Sequence, residues 1–212
     1  IEQAIEFYNA ALTIRTREAF PQDWAGTQHN LGNAYYYRIC GKKAENIEQA
    51  IAFYNAALTL RTREAFPQDW ADTQISLGST YLDRICGEEA ENIEQAITFY
   101  TAALTVYNHE AFPQNWAITQ HNLGHVYLYR ICGEEAENIE QAIICYNAAL
   151  TVRTREASPQ QWAMTQNSLG NAYFYRIQGE RAENIEQAIT FDNAALTVRT
   201  REAFPQDWAM TQ

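Results

Sequence analysis

An all-α fold of stacked helical hairpins, an α-solenoid, is predicted by three features of this 212-residue sequence. It repeats: the stretch that begins at Trp24 returns from Trp70, Trp116 and Trp162, each time 46 residues on. Units of this size bury their apolar faces by stacking on neighbours. Apolar residues recur at helical spacing between Pro and Gly punctuation. No alternating apolar run and no Asn-Gly or Asp-Gly hairpin suggests a strand. The expected organisation is a single array over 1–212. It has a partial repeat 1–23, full repeats 24–69, 70–115, 116–161 and 162–207, and a stub 208–212, with nine helices in all.

The 70–115 repeat shows how each unit is built. Pro67 opens the first helix, where a missing N–H costs nothing, and Phe66 before it is pushed toward extended backbone. Trp70, Leu77, Gly78, Tyr81 and Ile85 form an apolar or small stripe. Gly87 supplies the left-handed residue that ends a helix. Asn92 is expected as the N-cap of the second helix, with Gln95 completing a capping-box-like pair. Ile93, Ala96, Ile97, Tyr100, Ala103 and Leu104 then follow the spacing of a buried face. Gly78 lies within a helix at a cost of about 1 kcal/mol relative to Ala. Close approach by the small residues Ala96 and Ala103 is its expected compensation.

Composition limits the function. The net charge of −11 argues against nucleic acid, whose phosphates call for clustered Lys and Arg. No apolar run reaches the roughly 18 residues of a membrane span, so no membrane is expected. Cys40, Cys86 and Cys132 recur one repeat apart. Packed helices sit on the order of 10 Å apart, beyond the reach of about 7 Å for a disulfide. They are expected to be free and half-buried, as suits a cytoplasmic protein. Cys145 stands where other repeats have Phe and reads as a small core residue. The chain starts and stops within a unit, which suggests part of a larger protein.

Leu77-Gly78-x-x-Tyr81, then Ala96, Tyr100 and Ala103, then Pro113, resemble the tetratricopeptide repeat signature W-x2-L-G-x2-Y, A-x3-F/Y-x2-A, P. The resemblance covers the whole chain, with Asp192 in place of the second-helix Tyr in the last full repeat. It implies a right-handed superhelix. The 46-residue unit is longer than the usual repeat of about 34. The run A-L-T-[LV]-R-T-R-E before Pro resembles the longer repeats of kinesin light chains and of bacterial arrays.

The repeats also differ from one another in an ordered way. Counting from each Trp as zero, the changing positions of the first helix follow three- and four-residue steps and share one side. Offset 2 carries Gly26, Asp72, Ile118, Met164 and Met210; offset 5 has His29, Ile75, His121 and Asn167. Offset 9 carries Asn33, Ser79, His125 and Asn171. Offset 12 carries Tyr36, Leu82, Leu128 and Phe174; offset 13 has Tyr37, Asp83, Tyr129 and Tyr175. In the tetratricopeptide family this side lines the concave groove that holds peptide ligands. Aromatic, aliphatic and amide side chains exposed there suit contact with a partner better than free drift, which favours Lys, Glu, Gln and Ser.

These residues, apart from Gly26 and Met210, are the candidate ligand-binding set of a non-catalytic protein-interaction scaffold. The expected ligand is a neutral or mildly basic peptide with apolar anchors, its basic group facing Asp72 and Asp83. The alternative is a structural array that self-associates end to end. His121 and His125, one turn apart, have metal-ligand spacing, but no acid or Cys joins them, and groove lining is the preferred reading. The Arg pairs Arg15/Arg17, Arg61/Arg63, Arg153/Arg155 and Arg199/Arg201 complement helix C-termini, and a basic stripe facing an acidic partner is the other reading. Tyr107 and His109 replace the third pair. No nucleophile–base pair or phosphate loop is present, so no catalysis, cofactor or metal is expected.

Overall fold

The computed structural model describes residues 1–200 and Ala209. Met210, Arg201 and all of the 208–212 stub except Ala209 lie outside the described residues. Among the described residues there are nine α-helices and no strand. They are α1 (Glu2–Leu12), α2 (Pro21–Tyr36), α3 (Lys43–Leu58), α4 (Pro67–Leu82), α5 (Glu89–Leu104), α6 (Pro113–Leu128), α7 (Glu135–Leu150), α8 (Pro159–Tyr175) and α9 (Arg181–Leu196). The chain forms two compact units, Ile1–Tyr107 and Asn108–Gln212. In the first, α2 pairs with α3 and α4 with α5, and the hairpins stack through α3–α4 and α2–α4. α1 lies against α2. In the second, α6 pairs with α7 and α8 with α9, stacked through α7–α8 and α6–α8.

Proline sets the start of each first helix. Pro21, Pro67, Pro113 and Pro159 open α2, α4, α6 and α8. The turn before Pro is closed by short side-chain bonds. Thr16 and Thr62 accept from the amides of Ala19 and Ala65, and Asn108 accepts from that of Ala111.

The other end of the first helix departs from the sequence pattern. α4 stops at Leu82, well before Gly87, and Gly87 is instead the pivot of the connector, with φ +83°. Gly41, Gly133 and Gly179 share that φ. Ile85 consequently falls outside the helix and is exposed, as are Ile39, Ile131 and Ile177. Their place in the packing stripe is not realised.

Asn92 is not an N-cap. α5 begins at Glu89, so Asn92 lies inside it and is buried. Its amide nitrogen reaches back across the connector to donate to the Cys86 carbonyl at 2.9 Å. Asn46, Asn138 and Asn184 make the same 2.9 Å bond to Cys40, Cys132 and Gln178. Each repeat thus fastens its hairpin loop with one asparagine. Cys40, Cys86 and Cys132 are exposed rather than half-buried, and Cys145 is buried; all four are free.

Gly32, Gly78 and Gly124 accommodate an aromatic ring first, and at Gly124 the Ala142 carbonyl also approaches, to 3.2 Å of an added Cβ. A Cβ on Gly32 would lie 2.5 Å from Tyr54 Cε1, and one on Gly78 would lie 2.8 Å from Tyr100 Cζ. Gly124 meets Tyr146 in the same way, at 2.9 Å. Tyr54, Tyr100 and Tyr146 are among the most deeply buried side chains. Around Tyr54 gather Ile47, Ala50, Ile51 and Leu77; around Tyr146 gather Ile139, Ala142, Ile143, Leu169 and Ala172. Successive hairpins are also tied by ion pairs: Arg38–Glu2 (2.8 Å), Arg84–Glu48 (2.7 Å) and Arg176–Glu140 (2.7 Å).

Candidate partner-binding face

The variable side of the first helices divides into side chains that turn inward and side chains that stay open. In the first unit His29 turns inward. Its Nδ1 lies 3.1 Å from the hydroxyl of Thr73 in the next hairpin. Thr73 gives its one proton to the Asp69 carbonyl (2.7 Å) and accepts from Arg61 Nη1 (3.3 Å). His29 must therefore donate, which fixes its proton on Nδ1. Burial, with help from Arg61, lowers its pKa to about 4.

The same trio recurs in the second unit. His121 Nδ1 lies 3.2 Å from Thr165 Oγ1, which accepts from Arg153 at 2.9 Å and donates to the Gln161 carbonyl at 2.8 Å. His121 is only 6% exposed, with its pKa lowered to about 3 by burial and by nearby Arg153. It lies in the packing between hairpins and not on an open surface.

Offset 9 is also drawn inward. Asn33 accepts from the Tyr54 hydroxyl at 2.7 Å, and Ser79 shares a 2.8 Å bond with that of Tyr100. At the matching place in the second unit, the Tyr146 hydroxyl has no hydrogen-bond partner among the described residues, and His125 is exposed with its ring 4.9 Å from that of Tyr129. Asn171 is exposed. Asn167 links two groups: it donates to Asp192 at 2.9 Å and accepts from buried Arg199 at 3.2 Å. Asp192, packed on Gly170 where the other hairpins place a Tyr, has its pKa raised by burial, against the pull of Asn167 and Arg199. A polar chain through Asn167 and Arg199 thus supports a residue that the sequence presents only as an end-of-array irregularity.

Offsets 2, 12 and 13 stay open or half-open. In the first unit Tyr37 is 67% exposed and meets half-buried Tyr36 edge-on at 4.7 Å. The Tyr36 hydroxyl donates to Asp83 Oδ2 at 2.7 Å, joining the C-terminal ends of α2 and α4. Leu82 and Ile75 are half-buried. Asp72 is exposed, and its Oδ1 accepts from Tyr107 at 2.5 Å. In the second unit Ile118, Tyr129, Met164, Phe174 and Tyr175 are all exposed, while Leu128 leans on the core. Phe174 and Tyr175 meet edge-on at 5.2 Å.

Sequence reasoning missed the use of the Arg pairs. The first member enters the structure: Arg61 bonds Thr73, and Arg153 is only 3% exposed with its pKa lowered to about 10 by burial. Arg17 and Arg155 stack over Trp24 and Trp162, at 5.5 and 5.9 Å; His109 meets Trp116 edge-on at 4.8 Å. One signal was available: Tyr107 replaces this Arg in the one repeat whose offset 2 is Asp72. Among the described residues no three His, Cys, Asp or Glu side chains gather as a metal requires, and no helix is long and apolar enough to cross a membrane.

Stacked two-helix units with glycine set against tyrosine place the chain in the architecture of tetratricopeptide-like repeat arrays. A solved structure agrees: the chain is similar to BtubC (BKLC) from P. vanneervenii, a kinesin-light-chain-like tetratricopeptide protein, with a TM-score of 0.72. The match has 20% sequence identity and covers 95% of this chain and 74% of that one; at that identity it establishes the shared fold. No protein-family profile and no curated protein matches the sequence.

Proposed function

We propose that this chain is a non-catalytic interaction scaffold that binds a peptide or protein partner through the open, variable side of its first helices. One observation carries the reading. Tyr37, Ile118, Tyr129, Met164, Phe174 and Tyr175 are large and apolar or aromatic, yet exposed, and they occupy positions at which the repeats differ. Burial of such side chains by a partner contributes about 25 cal/mol per Å², and Tyr and Phe do so with little loss of rotamer freedom. The ligand class that fits is a neutral or mildly basic peptide with apolar anchors, its basic group facing Asp72 and Asp83.

A peptide-array screen tests this. Hits retained by the parent chain and lost on combining Tyr129→Ala, Phe174→Ala and Tyr175→Ala support it. Hits that survive the triple change move the site elsewhere. End-to-end self-association of the array is a second reading. A monomer at high concentration in light scattering counts against it.

A further inference from the structure

The two hairpin connectors of the first unit have one shape. Each pivots on a glycine at φ +83°, Gly41 or Gly87, and each is fastened by an asparagine bond of 2.9 Å. They lie side by side on one edge of the unit. The Tyr36–Asp83 bond joins the ends of α2 and α4, and Arg84 of the second connector pairs with Glu48 of α3 at 2.7 Å. Helices packed in this way are spaced on the order of 10 Å apart. Apolar side chains stand out from this edge. Ile39 is 91% exposed and Ile85 60%, and Cys40 and Cys86 beside them are exposed.

The charge beside these side chains reverses between the connectors. Lys42 and Lys43 follow the first, and Glu88 and Glu89 stand at the same places 46 residues on. All four are exposed. Arg38 and Arg84 leave the contrast intact, because Glu2 and Glu48 pair with them at 2.8 and 2.7 Å. Lys42 also pairs with Glu45 at 2.8 Å, but the two side chains are 81% and 67% exposed. So open a pair is worth little and is given up at small cost.

Two connectors of like shape and opposite charge are complementary to themselves. We propose that this edge of the first unit is a two-fold interface between two copies of the chain. The first connector of one copy meets the second connector of the other, and the reverse holds at the same time. Lys42 and Lys43 then face Glu88 and Glu89 at both places, and Ile39 covers the partner's Ile85. Setting each connector on its own equivalent would instead oppose Lys to Lys and Glu to Glu. The isoleucines supply apolar contact, and the charges set the register. The second unit offers no such match. Its connectors are followed by Glu134 and Glu135, then by Glu180 and Arg181, and Arg181 is turned onto the Phe174 ring at 5.1 Å. The interface uses none of Tyr129, Phe174 and Tyr175, so it and the proposed binding face can fail separately.

Sedimentation equilibrium up to about 1 mM chain, the weak end of specific association, tests this. The parent chain should dimerise. Lys42→Glu with Lys43→Glu, or Glu88→Lys with Glu89→Lys, should weaken the dimer about tenfold or more. The two pairs of changes move the net charge in opposite directions, so a loss common to both is not a bulk-charge effect. All four changes together restore opposite charges across the interface and should restore the dimer. Melting temperatures should stay unchanged throughout, because the four side chains are exposed. The register is read by mixing a Cys40→Ser, Cys132→Ser chain with a Cys86→Ser, Cys132→Ser chain and adding a short bis-maleimide. A covalent dimer should form in the mixture and not from either chain alone. A monomeric parent, a dimer indifferent to the paired charge changes, a fourfold variant that stays monomeric, or a mixture that gives no more covalent dimer than its components overturns the proposal.

Discussion

The Tyr54 hydroxyl donates to Asn33 at 2.7 Å, across the contact where the tyrosine ring lies against Gly32. One hairpin interface is thereby closed by shape and by polarity together. At Tyr146 the shape is kept, but the hydroxyl is buried without a partner. Tyr54→Phe should therefore cost about 1 kcal/mol, the usual net worth of a hydrogen bond, whereas Tyr146→Phe should be neutral or stabilising. Urea denaturation of the two variants checks the contrast.

Glycines in different first helices should respond with opposite signs. Gly78→Ala drives a methyl into the Tyr100 ring, and overpacking of that kind costs roughly 1–3 kcal/mol, exceeding the helix-propensity gain of about 1 kcal/mol. Gly26→Ala meets no such obstacle and should keep that gain. Thermal melts of both variants measure the difference.

The starts of the first helices and the repeat period were legible in the sequence because Pro fixes its own φ and a period is visible without a structure. The hairpin connector was less so. Asn92 has the residue type and the following Gln95 of an N-cap, but nothing local shows that the helix begins at Glu89 and that the amide points backward instead. Ile85 continues an apolar spacing past a helix end that only the folded connector defines. The candidate face was half-legible for a geometric reason. One variable side of a helix spans the open surface, the contact with its own hairpin partner and the seam with the next hairpin, so His29, Asn33, Ser79 and His121 vary like Tyr37 and Tyr175 yet are engaged within the fold.

The buried asparagine latch should contribute measurably to stability. Asn92→Ala leaves the Cys86 carbonyl without this donor and removes one of the acceptors of Arg84, which keeps Glu48, at about 1–2 kcal/mol. Hydrogen exchange should show faster opening at the start of α5 than in the parent chain.

Acid should loosen the seams between hairpins. His121 has a folded pKa of about 3, and an unfolded His titrates near 6.5, so the unfolded chain binds more protons between these values. Stability is complete above about pH 6.5 and falls as the pH drops toward about 3. Burial is the main cause, and Arg153, His125 and Arg199 each add to it. His29, with Arg61 lowering and Asp69 raising its pKa, contributes the same sign down to about 4. His121→Asn should flatten the acid limb of a melting-temperature profile.

The most direct measurement is a binding titration of the strongest array hit against two matched variants. One carries Tyr129→Ala, Phe174→Ala and Tyr175→Ala on the open side; the other carries Tyr54→Phe in a seam. The account predicts at least a tenfold loss of affinity with an unchanged melting temperature for the first. For the second it predicts unchanged affinity with a lowered melting temperature. Unchanged affinity in the first variant would contradict the assignment of the variable side as the binding face.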